Sequence, residues 1–247
     1  NSGRLEDAES GFEQVITEAE SRGDLWHVAA ALGNRAVLWH GRKNIERLFA
    51  DLARTAQLGR EIGEASIEFL AVGNIGESEY ALGRLDRARA RTERALELAK
   101  QLFGEGNQEV SVSELLLARI ALYGGDLAAV QALLASIHER TARGVAAGDT
   151  EAELSPQNRL LLDMTELAAQ AAPLEAWQTL VARLDAIELQ PSEEVELLER
   201  AAISAARLHE THAARQLYER ALAVSAHKPN LMSERIQRSV PPLLQSA

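Results

Sequence analysis

The chain has 247 residues, a formal net charge of −11 at pH 7 and no cysteine. The missing thiols rule out a disulfide scaffold, a thiolate nucleophile and Cys-ligated zinc or iron–sulfur centres. The acidic balance argues against a nucleic-acid partner, because phosphate binding needs clustered cations. Ala and Leu supply 80 residues against 22 for Val and Ile, which favours helices over sheets.

No apolar run approaches the about 18 residues of a membrane span, so no membrane partner is expected; the dense cluster Leu115–Ala118 is broken by Arg119. The chain opens Asn1-Ser2-Gly3 without a charged-then-apolar leader. That opening reads as a cut from a longer polypeptide and, with the lack of cysteine, points to a cytoplasmic protein. Lys43, Lys100 and Lys228 are the only lysines among 26 cations, a bias expected of a GC-rich bacterial coding sequence.

Helical hairpins recur along the chain. Gly3-Arg4-Leu5-Glu6 marks a turn before the stripe Ala8, Phe12, Val15 and Ile16. A copy begins at Asn34 and continues with Leu48, Leu52 and Ala56. The clearest unit, Asn74 to Ala99, places two amphipathic helices about Gly83. The second carries Leu85, Ala88, Ala95, Leu96, Ala99, Leu102 and Phe103 on one stripe. A side chain as small as Ala88 lets paired helices approach closely, and Asp86 at the start of that helix can accept an orphan backbone N–H. Gly125-Asp126-Leu127 opens a further second helix with Val130, Leu134 and Ile137 buried. Ala176, Leu180 and Leu184, then Ala214, Tyr218, Ala221 and Leu222, repeat the pattern. The equivalent positions Ala8, Leu48, Ala88, Val130, Ala176 and Ala214 lie 40, 40, 42, 46 and 38 apart. Such a period predicts stacked hairpins, each covering its neighbour's apolar face.

Punctuation changes partway. Every glycine lies at or before Gly148 and every proline at or after Pro156. Gly23, Gly41, Gly63, Gly83 and Gly124-Gly125 read as turns. Pro156, Pro173, Pro191 and Pro229 read as first-turn residues of helices, with Ser155 a cap. The expected organisation is one array of five to six hairpins over residues 1–240, with a soft break at 144–156. Pro241-Pro242 predicts an extended tail leaving the last helix near Ser239 and covering 241–247.

In Asn74–Ala99, the order Asn74-Ile75-Gly76, Gly83, Leu85-Asp86-x-Ala88 and Ala95-Leu96 resembles a tetratricopeptide repeat. Leu102–Asp126 resembles the longer-period version found in kinesin light chains and bacterial signalling proteins. The period here exceeds the about 34 residues of the standard repeat, and the fourth and fifth units keep only the small-residue positions. The resemblance implies an all-α, right-handed superhelical solenoid of antiparallel helix hairpins, whose first helices line a concave groove.

Motifs for chemistry are missing: the chain has no P-loop, dinucleotide fingerprint, H-E-x-x-H or G-x-S-x-G. His209 and His212 stand three apart and straddle an expected turn. His27 and His40 sit beside Trp26 and Trp39 as packing or solvated side chains. Glu193, Glu194, Glu196 and Glu199 suit a helix start. No catalytic residue, cofactor or metal ligand is therefore expected.

Projecting the repeat places Asn34, Val37, Asn74, Glu77, Tyr80, Arg119, Tyr123, Asn158, Thr165, Arg200 and Arg207 on the groove. An amide at Asn34 or Asn74 suits the backbone of an extended peptide, or else a bond to the neighbouring helix. Arg119, Arg200 and Arg207 suit a partner's carboxylates, or i,i+4 pairs such as Glu196 with Arg200. The expected function is a non-catalytic protein- or peptide-binding scaffold within a larger bacterial signalling or regulatory protein. The alternative is a helical-repeat regulatory module that senses a small ligand or signalling peptide. Self-association is open to a solenoid with an uncovered end, unless Leu231, Met232 and Ile236 act as a terminal cap.

Overall fold

The computed structural model describes residues 2–228 and 230–239. These form twelve α-helices with no strand among the described residues: α1 (Ser2–Ser21), α2 (Leu25–Gly41), α3 (Ile45–Ile62), α4 (Ala65–Ala81), α5 (Leu85–Phe103), α6 (Gln108–Gly124), α7 (Leu127–Ala147), α8 (Pro156–Ala169), α9 (Leu174–Ala182), α10 (Pro191–Arg207), α11 (Thr211–His227) and α12 (Ser233–Ser239). Consecutive helices from α1 to α11 pack against one another. In addition α2 packs on α4, α4 on α6, α6 on α8 and α8 on α10. Helix α12 returns onto α10 and α11.

Side-chain caps set many of the helix starts. Asp24, Asn44, Asp126 and Ser155 accept from the backbone N–H of His27, Arg47, Ala129 and Asn158, each satisfying a donor the helix leaves free. Asp86 does not cap: Arg84 holds that position without a side-chain bond, and Asp86 lies within the first turn of α5. There its charge still suits the helix dipole. Gly63 closes α3 at φ +74°, as the sequence predicts. Gly41 instead finishes α2 in helical conformation, and the left-handed residue of that turn is Lys43 at φ +55°. Pro156 and Pro191 occupy first turns, whereas Pro173 precedes α9 as its cap residue. Pro229 and the tail at 240–247 lie outside the described residues; Ser239, expected to open the tail, ends α12 in helix.

The recurring small positions serve packing. Ala88, Val130 and Ala214 are fully buried, and Leu48 nearly so. Helices α4 and α5 come so close that a Cβ on Gly76 would lie 2.7 Å from Thr92 Oγ1. Ala176 is only half-buried, because Trp177 beside it fills the interior. Each of the three central hairpins also carries a buried carboxylate seam. Arg35 grips Asp51 between α2 and α3, with Trp39 Nε1 donating to the same carboxylate at 2.7 Å. Arg94 reaches Glu68 between α4 and α5, and Arg140 grips Glu114 between α6 and α7.

The 144–156 segment does not interrupt the core. Helix α7 continues past Gly144, and Ala152 and Leu154 behind it are buried. One apolar cluster runs from Ala36 and Trp39 in α2 through Leu154, Trp177 and Leu198 to Ile236 in α12.

Candidate functional site

Helices α2, α4 and α6 are successive members of one packed row, and α10 lies across from them. Tyr80 of α4 donates its hydroxyl to the Glu196 carboxylate of α10. Arg119 of α6 donates to the same carboxylate through Nη2 and through Nε at 3.1 Å. The face projected as an open groove is thus largely filled by the chain's own C-terminal helices. Arg235 of α12 completes the cluster. Its guanidinium donates to Glu199 through Nε (3.1 Å) and Nη2 (2.6 Å) and stands 3.8 Å from Glu196. It also lies 4.8 Å from the ring centroid of Tyr80 and 4.3 Å from that of Tyr123, within cation–π range.

These charges are buried, so their partners decide their state. Burial pushes the Glu196 carboxyl up, but Arg119 and Arg235 outweigh it and hold it down at about 2. Burial opposes charge on Arg119 and Arg235 too. Glu196 on the first, and Glu199 and Glu196 on the second, keep both guanidiniums charged and firmly protonated. Burial and then Glu196 push the Tyr80 phenol up.

What remains of the groove is a recess of about 320 Å3. Gly33, Val37 and His40 of α2 and Leu48 and Leu52 of α3 form one wall. Asn74, Glu77 and Tyr80 of α4 with Arg119 form the floor, and Gln190, Ser192, Glu193 and Met232 close the far side. Val37, Asn74 and Glu77 are exposed there. Although part of Glu77 meets solvent, desolvation by the recess walls around its carboxyl pushes that group up; Arg119 opposes this, and Glu193 and Glu196 add to it. Burial pushes His40 down, toward its neutral form.

The structure therefore brings together Val37, Asn74, Glu77, Tyr80 and Arg119 among the projected groove residues. Tyr80 and Arg119 are buried and engaged by Glu196. Asn34 is exposed outside the recess lining, as is Arg207 at the end of α10. Asn158 is half-buried in the first turn of α8, and Thr165 is buried, donating to Leu161 O. Tyr123 and Arg200 stack on each other at 5.2 Å, on the arginine cluster and away from the recess. Glu196 does not take Arg200 as an i,i+4 partner; Arg200 Nε and Nη2 have no hydrogen-bond partner among the described residues.

Sequence reading places Glu199 only in an acidic helix start and does not single out Arg235. Both lie on helices where a charge reads as solvated, and beyond Pro229 only Leu231, Met232 and Ile236 read as buried. Their separation, 36 positions, carries no local signal. Among the described residues, no group of three or more His, Cys, Asp or Glu side chains could hold a metal ion, and no helix is long and apolar enough to cross a membrane. No protein-family model matches the chain, and no curated protein matches it.

Proposed function

We propose that the chain is a non-catalytic protein- or peptide-binding scaffold. In this reading it is a tetratricopeptide-like, right-handed solenoid closed tightly on itself, forming part of a larger cytoplasmic signalling or regulatory protein of a bacterium. The packing of α2, α4, α6, α8 and α10 in one succession, with α3, α5 and α7 behind, supports the solenoid. The observation that carries the binding role is the recess mouth, where the Asn74 amide and the Glu77 carboxylate stand exposed beside Val37. An amide supplies a donor and an acceptor for a peptide backbone, and the carboxylate supplies charge selectivity. No catalytic residue, metal or cofactor enters this reading.

Peptide display against the immobilised full chain tests it. Selected peptides should lose binding to the Asn74→Ala/Glu77→Ala chain and keep it on Glu139→Ala, an exposed change on α7. Peptides indifferent to the first pair would overturn the assignment. The recess volume, about 320 Å3, also lies within the size of small-molecule pockets, which favours a sensor module as the second reading. A low-molecular-weight ligand that raises the melting temperature, as mass action requires, would select it.

A further inference from the structure

We propose that α12 occupies a socket that recognises arginine, and that the partner of this face is a peptide carrying the α12 pattern, Met-x-x-Arg-Ile, which displaces it. The proposal rests on the peptide-binding reading and names the chemistry of its ligand. Three helices distant in sequence build the socket: Tyr80 from α4, Tyr123 from α6, and Glu196 and Glu199 from α10. Tyr80 and Tyr123 stand edge to face at 6.5 Å, and both rings flank the Arg235 guanidinium. Glu196 is already taken by Arg119 and Tyr80, so Glu199 is the carboxylate left for the incoming cation, which it meets with two donors. A planar fork between aromatic rings suits arginine and not the compact ammonium of lysine. Apolar contacts set the register: Met232 lines the recess three positions before Arg235, and Ile236 is fully buried one position after it.

The occupant is suited to exchange. Helix α12 has seven residues, too few to persist alone. Its outer side, Glu234, Gln237 and Arg238, is exposed. Arg235 Nη1 finds no hydrogen-bond partner among the described residues, so the cis ligand satisfies its socket incompletely. Tethering gives the cis segment a high effective concentration, of the order of millimolar for a short flexible link. A competitor of the same sequence must therefore be abundant, better matched, or helped by contacts in the recess.

The test uses the full chain and a fluorescent peptide of residues 230–239. Wild-type chain should bind it weakly, and the Arg235→Ala chain about a hundredfold more tightly, the lower end of what tethering supplies. Peptides with Arg235→Ala or Arg235→Lys should lose that gain. If Arg235→Ala does not fold, hydrogen exchange on wild-type chain with millimolar peptide decides: amides of 233–239 should exchange faster, and unchanged protection overturns the proposal. A folded Arg235→Ala chain that ignores the peptide also overturns it. Display-selected peptides that still depend on Asn74 and Glu77 would then leave the scaffold reading standing without the arginine socket.

Discussion

Glu196 is the side chain on which the centre of the molecule turns, since it is fully buried and takes Tyr80, Arg119 and, at 3.8 Å, Arg235. Removing one partner of a buried ion pair leaves an uncompensated charge and typically costs about 3–5 kcal/mol. Glu196→Gln should lower unfolding stability at pH 7 by about that amount, measured by urea titration. The same carboxylate makes stability depend on acid. Its pKa falls from an ordinary 4.5 to about 2 on folding, so its contribution is present above about 4.5 and is lost as pH falls toward 2. Glu77 works in the other direction: its pKa is raised, so its contribution is present below 4.5 and is lost as pH rises. Urea midpoints at pH 7, 5 and 3 should therefore fall more steeply in wild type than in Glu196→Gln. Parallel curves would show that another group controls the acid limb.

Between helices, closeness of approach is set by small residues. Gly76 and Gly73 share α4, yet only Gly76 faces α5 at a distance where a Cβ meets Thr92 at 2.7 Å; Gly73 has open space around it. Gly76→Ala should cost about 1–3 kcal/mol through overpacking. Gly73→Ala should gain about 0.5–1 kcal/mol by relieving the entropic cost of helical glycine. Thermal melts of the two variants check the contrast, and equal shifts would mean that α4 and α5 adjust freely. This element-level order was legible before the structure: Ala88, Val130 and Ala214 fall where the forty-residue spacing puts them and are buried. The pattern misplaces the fifth interior contact, because Trp177 next to Ala176 offers far more apolar surface. The buried seams at Asp51, Glu68 and Glu114 were not legible, since each acid reads as a surface charge until an arginine of its adjoining helix reaches it.

Across the chain, one apolar cluster links Trp39 near one end to Trp177 and Ile236 toward the other. Open repeat arrays unfold as sums of nearest-neighbour units; here α4 and α6 bond α10 directly, which ties distant units together. In a Trp26→Phe chain, fluorescence from Trp39 and Trp177 should therefore lose its native signal at the same urea concentration as far-UV circular dichroism, as all-or-none unfolding requires. Separated midpoints would mean that the two halves melt independently. Composition and spacing were enough to establish helices, their hairpin order and many of their turns and caps, because those follow from propensity and periodicity along a few consecutive turns. The fate of the projected groove was beyond them. Tyr80 and Arg119 lie on buried faces of α4 and α6, but whether they meet a partner or the chain's own Glu196, 116 and 77 positions away, depends on where the C-terminal helices pack. That packing is decided by contacts among helices far apart in the chain, and no local run of residues encodes it.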